Sequence, residues 1–184
     1  MGKCKGAYMD LKEFIVSNFG EAGLNKVLAE ADKPAAELLT QAKSYMWLNA
    51  EPLKNLYRIC NRLFGDGTTG FYRRIGATNA NRDLPRFFKV LISLGSPKQV
   101  FSLFGFMWKF YHDTGHPQIL KHDKTSLKVE VVGYEDACEE FCNDIAGYLE
   151  VMLKMIKLKN PKVVHSRCSS QGHESCIFES SWDL

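Results

Sequence analysis

No apolar run in the sequence approaches the ~20 residues that cross a bilayer, and Met1-Gly2-Lys3-Cys4 is not followed by a signal-peptide core. A cytoplasmic chain with no membrane span is therefore expected. No CxxC pair occurs, which excludes zinc-finger spacing, and Cys4, Cys60, Cys138, Cys142, Cys168 and Cys176 are scattered without a secreted disulfide framework. In a reducing compartment such thiols serve as core residues or metal ligands. Strong charge of one sign is also missing: 24 Lys and Arg stand against 21 Asp and Glu, a net +3 spread along the chain, too mild for a nucleic-acid partner. Gly70 to Gly76 lacks the Lys-Ser/Thr of a phosphate loop, and Gly6 stands where a myristoylation motif wants Ser or Thr. Nothing marks a nicotinamide or flavin site. No nucleophile signature is present either, so an enzyme acting on a tetrapyrrole-like or aromatic substrate, through His112, Asp113 and His116, is only the runner-up class.

What the chain does have is 45% hydrophobic residues and no break in composition, enough for one domain over 1–184. Met9, Leu11, Phe14, Ile15 and Phe19 space as a helix that Gly20 ends, and Leu24, Val27, Leu28 and Ala31 as a second. Pro34 opens a third, and Pro52 a fourth that buries Leu53, Leu56, Tyr57, Cys60, Leu63 and Phe64 before Gly65-Asp66-Gly67. Gly70 to Gly76 reads as another helix. Further helical runs are expected over Pro85 to Leu94, with Phe87 and Phe88, and over Val100 to Phe104. Phe106 to Asp113 reads as extended, Thr114 to Pro117 as a break, and Ser126 to Gly133 alternates as a strand with Leu127, Val129 and Val131 on one face. Cys138, Phe141, Cys142, Ile145, Leu149, Met152, Leu153 and Ile156 form the stripe of a long amphipathic helix that turns Cys142 inward. Lys162 to Cys168 and Cys176 to Trp182 then make a hairpin. The expected class is α+β: a helical half, about 1–104, followed by a roughly four-stranded antiparallel sheet crossed by one long helix, about 105–184.

Cys142, His165, Cys168 and Cys176 offer thiolates and an imidazole, the donors of a closed structural zinc shell that would pin the hairpin to the helix. Alternation along a strand opposes this, since His165 and Cys168, three apart, face opposite ways unless the strand bulges or ends first. On the residues alone, Cys142 reads equally as a small core hydrophobe and Cys168 and Cys176 as free thiols.

Gly147-Tyr148-Leu149-Glu150 in a long helix, then a strand, then Cys168 and Gly172 before Cys176-Ile177-Phe178, resembles the C-terminal signature of the vinyl-4-reductase-like domains. In zinc-binding members, including sensor domains of phenol-responsive activators, a helix Cys, a Glu and two hairpin Cys hold zinc beside a pocket for a small aromatic ligand. The resemblance implies those roles for Cys142, Cys168 and Cys176, with His165 where that family usually has Glu. Gly6 to Leu28, with Phe14-Ile15-Val16 and Phe19-Gly20-Glu21-Ala22-Gly23, is similar to the entry of the haem-nitric-oxide-binding (H-NOX) family. That family shares its fold with the vinyl-4-reductase-like domains and with Golgi tethering subunits, which adds an assembly role to the alternatives.

The aromatic residues of the middle of the chain are candidates for a cavity between helices and sheet, with Phe71, Tyr72, Phe104, Trp108, Tyr111 and His112 as ligand contacts; each reads also as plain core. Haem is disfavoured, because the Tyr-x-Ser-x-Arg motif that grips its propionates in H-NOX proteins is missing and the only Ser-Arg pair, Ser166-Arg167, lacks the Tyr. The expectation is a stand-alone sensor domain with a structural zinc. It would bind a small hydrophobic or aromatic molecule and signal through a homodimer or a partner protein, with a haem-binding gas sensor as the alternative.

Overall fold

The computed structural model describes residues 2–93 and 96–184. The side chains of Phe87 and Phe88, and Leu94 as a whole, lie outside what the structure describes, and with them the contributions expected there. Helices come first: α1 (Ala7–Glu30), α2 (Lys33–Gln41), α3 (Glu51–Phe64), α4 (Gly70–Ser93) and α5 (Pro97–Tyr111). Two short strands, β1 (Lys3–Lys5) and β2 (Trp47–Asn49), pair among them as an antiparallel ribbon. Then follow β3 (His116–His122), β4 (Ser126–Val132), the long helix α6 (Glu139–Met155), β5 (Lys159–Arg167) and β6 (Ser175–Asp183). The four later strands form one antiparallel sheet in the order β3-β4-β6-β5. This is the expected α+β arrangement, helices first and a four-stranded sheet with one long helix.

Local chemistry explains the boundaries. Gly20 breaks α1 into the two helices that the sequence suggests, taking φ 68° and ψ −178°, a conformation open to glycine alone. Asp32 caps α2 through the Ala35 amide at 2.8 Å, with Pro34 in the first turn. Phe106 to Asp113, expected to be extended, belongs instead to α5 up to Tyr111. Ser96 and Gln99 form a capping box at its start, with Pro97 in the first turn. The helical period there is masked because Phe106 and Phe110 are apolar yet exposed, on the face opposite Phe104 and Trp108. The fourth strand lies one step later, in β3, across the expected break.

Two apolar cores result, one in the helical half and one beneath the sheet. Helix α6 divides them, giving Phe141 to the first and Cys142, Ile145, Leu149, Met152 and Leu153 to the second. Each fully buried Leu or Met contributes about 1.5–3 kcal/mol, so Leu149, Met152 and Leu153 alone anchor α6 strongly. It crosses α4 at a distance only glycine permits: a Cβ on Gly147 would meet the Arg73 carbonyl, and one on Gly76 would meet the Asp144 carbonyl. Arg73 fastens the crossing, donating to Glu150 at 2.5 Å and to the Val163 carbonyl at 2.9 Å.

Candidate functional site

A cavity of about 110 Å³ lies where α1, α3, α4, α5 and α6 converge, beside the loop that follows β4. Aromatic rings make its apolar wall. Trp108 packs edge-on to Phe104 (5.6 Å between ring centres) and to Tyr134 (4.9 Å), and stacks with His112 at 4.2 Å. Of the residues expected to contact a ligand, Phe104, Trp108, Tyr111 and His112 lie on this wall. Phe71 and Tyr72 do not: they sit in the core of the helical half, Phe71 against Phe14 and Tyr72 against Tyr57. Aromatic density in a sequence cannot say which of two cores a ring joins.

The polar part of the wall was not foreseen. It comprises Lys5 from β1, Asp10 from α1, Tyr57 from α3, Asn79 and Asp83 from α4, Asp144 and Tyr148 from α6, and Tyr134 from the loop after β4. Three of its atoms are buried without a hydrogen-bond partner: Asn79 Oδ1, the Tyr134 hydroxyl and the Tyr148 hydroxyl. Such orphans are rare in native interiors, where an unmet buried group costs about 1–3 kcal/mol. Arg82 serves Asp10 at 2.6 Å and Asp83 at 2.8 Å. Asp144 has no cation among the described residues; its partner is the Tyr57 hydroxyl, donating at 2.6 Å, and burial pushes its carboxyl up to about 7. Burial lowers His112 to about 4, so its ring is a neutral imidazole at any ordinary pH.

The second cluster lies on the other side of α6. Cys142, His165, Cys168 and Cys176 converge, their donor atoms all within 4.8 Å of one another. The Cys142 sulfur is 4.0 Å from that of Cys168 and 3.8 Å from that of Cys176; metal–sulfur bonds of about 2.3 Å at tetrahedral angles place sulfurs about 3.8 Å apart. The objection from strand alternation is resolved by the backbone. The β5 register shifts between His165 and Arg167, and the strand ends there, so Cys168 lies in the turn that follows. Hydrogen bonding from Cys142 holds the Cys168 and Cys176 thiols below their usual range. The His165 Nε2 atom is buried and unpartnered. A soft cation would satisfy all four groups at once, and three thiols with an imidazole suit thiophilic ions in general without singling out zinc.

No protein-family profile matches the chain, nor does any curated protein sequence. Solved structures do. An H-NOX protein from K. algicida in the Fe(II) unliganded state superposes with a TM-score of 0.76 over 98% of this chain and 97% of its own, at 9% identity. An H-NOX protein from S. oneidensis in the Fe(II)NO state gives 0.70 over 98% and 99%, at 16% identity. The fold is the H-NOX fold. A third structure with this fold, from work on haem distortion in the H-NOX family, gives 0.68 over 98% and 95% at 11% identity.

These neighbours correct the expectation on cofactors. The neighbours of this fold are H-NOX proteins described in Fe(II) states and in work on haem distortion, so the missing motif is no ground for disfavouring haem. The loop before α6 reads Tyr134-Glu135-Asp136-Ala137-Cys138, with Asp and Cys at the second and fourth positions after the Tyr. No local spacing pattern in the sequence singles out Tyr134. Tested against haem, the cavity offers a neutral imidazole at His112 among apolar side chains; its volume of about 110 Å³ is well below a macrocycle's, so haem would enter only with the surrounding helices moved apart, and its polar end presents carboxylates where propionates would call for a guanidinium.

Proposed function

We propose that this chain is a sensor domain in which occupancy of the cavity is read through α6. The carrying observation is the set of three orphaned polar atoms, Asn79 Oδ1 and the Tyr134 and Tyr148 hydroxyls, on the wall of one apolar cavity. The first reading of the occupant is haem, as in the H-NOX proteins of the same fold, making the chain a gas sensor. His112 would hold the iron, Trp108 would fix the imidazole plane by stacking, and Phe104, Met107 and Ile145 would exclude water. When bound, haem supplies an iron able to take a diatomic gas. The chain's own residues orient that group, and Tyr148, from α6, is placed to feel a change at it.

Titrating the purified protein with haemin tests this directly. A one-to-one complex with a Soret band is expected, lost in His112→Ala and restored to that variant by free imidazole. A wild-type protein that takes up no haemin would refute the haem reading.

A second reading, a small organic molecule bound directly, is favoured by the modest volume and the acidic polar end. On either reading we place one thiophilic metal ion at Cys142, His165, Cys168 and Cys176, clamping the β5–β6 hairpin to α6; the vinyl-4-reductase-like resemblance supports it. The signal would pass to a partner protein or a second copy of the chain.

A further inference from the structure

The polar groups on the cavity wall are unbalanced in kind. Asp10, Asp83 and Asp144 bring carboxylates, and Asn79 Oδ1 is one more acceptor, buried in a residue only 6% exposed. Against them stand two cations. Arg82 is spent on Asp10, Glu13 and Asp83, and the Lys5 ammonium lies over the Trp47 ring, 5.9 Å from its centre. The Tyr134 and Tyr148 hydroxyls can each give one proton, and Tyr134 is only 4% exposed. Asp144 receives the Tyr57 hydroxyl and no charged partner among the described residues. The wall thus holds more acceptors than donors, and in Asp144 a buried carboxyl with no charged partner among the described residues, in an apolar setting where an uncompensated charge is costly. A water could supply two donors but no charge. An ammonium supplies three donors and one positive charge, and the faces of Trp108, Tyr111 and Tyr134 suit a cation's apolar flank.

We propose that the cavity is an amine-binding site, in which the ammonium of a small molecule with an apolar body is held by Asp144 and Asn79, with Asp10 and Asp83 behind them. This rests on the reading of the cavity as a site for a small organic molecule, and names its chemical class. The apolar body would lie against Phe104, Trp108 and Ile145. A cavity of about 110 Å³ limits that body to about one ring, since cavities near 150 Å³ accept benzene.

Three probes of nearly equal shape separate the outcomes: benzylamine, benzyl alcohol and benzoate, titrated calorimetrically into the purified protein at neutral pH. Benzylamine is expected to bind at least ten times more tightly than benzyl alcohol, and benzoate at least a hundred times more weakly than benzylamine. Asp144→Asn should bring benzylamine to the level of benzyl alcohol and leave the alcohol unchanged. Asn79→Leu should weaken benzylamine several-fold and serves if the first variant fails to fold. Equal affinity for amine and alcohol, or preference for benzoate, overturns the amine assignment while the small-molecule reading stands. Binding of none of the three overturns both.

Discussion

His112 shows how one residue's surroundings define what it can do. Its ring is stacked on Trp108 and edged by Tyr134, with Asp113 as the nearby charge that partly offsets burial. Because the folded pKa, about 4, lies below the model-peptide value near 6.5, the unfolded chain binds a proton first as the pH falls. Ligand-free protein should keep the full contribution of this group above about pH 6.5 and lose it progressively down to about pH 4. The loss should reach about 3 kcal/mol, at roughly 1.4 kcal/mol per pKa unit. Urea denaturation of wild type and His112→Phe between pH 7 and 4.5 checks this: the wild-type midpoint should fall more steeply, and parallel curves would refute it. The same buried neutrality makes this imidazole available as a ligand. None of it is visible in the letter His, and the sequence suggests only that His112 follows an aromatic run. The residues opposite it were still harder to read: Asp10, Asn79 and Asp144 are far apart in the chain and share no spacing pattern, so only the packing of α1, α4 and α6 brings them to one wall.

At the scale of elements, α6 and its crossing with α4 decide where both sites stand. The amphipathic stripe of α6 is plain in the sequence because its two faces pack against two cores, and this is why the inward turn of Cys142 could be read without coordinates. The sheet edge was not, since β3 carries a Pro and alternates weakly, with Ile119 as its main apolar contact. Gly147 is also legible as a motif residue, and the crossing supplies its reason. Gly147→Ala forces the new methyl into the Arg73 carbonyl, a backbone atom that cannot turn aside. Overpacking of this kind costs about 1–3 kcal/mol, or more where backbone must move, which in a chain of this size lowers the melting temperature by roughly 2–12 °C. Gly105→Ala, within α5 and with its nearest neighbour at 3.9 Å, should instead be neutral or stabilising by up to about 1 kcal/mol. Differential scanning calorimetry of the two variants distinguishes a required close approach from ordinary helix propensity. Equal shifts would remove the crossing from the explanation.

At the scale of the molecule, the two sites share one helix. Cys142 and Asp144 are two residues apart on α6, one in the thiol cluster and the other on the cavity wall, and Tyr148 follows one turn later. A helix with this much buried surface would respond to either site as a unit, held against α4 by the close approach at Gly76 and Gly147. Cavity occupancy and metal occupancy should therefore be coupled, and linkage requires the coupling to be reciprocal: whatever factor the metal contributes to ligand affinity, the ligand contributes to metal affinity. The measurement is a thermodynamic square. Metal content by mass spectrometry should first give about one thiophilic ion per chain, reduced to none in Cys176→Ser. Haemin or benzylamine is then titrated into loaded and chelator-stripped protein, and a metal-competition assay is run with the cavity filled and open. Both arms should return the same factor, about 5-fold or more, for coupling in the usual range of 1–3 kcal/mol. A factor of one in both arms would mean that the clamp merely secures the hairpin, so that a signal leaving the cavity would have to travel through α5 and the exposed faces of Phe106 and Phe110 instead.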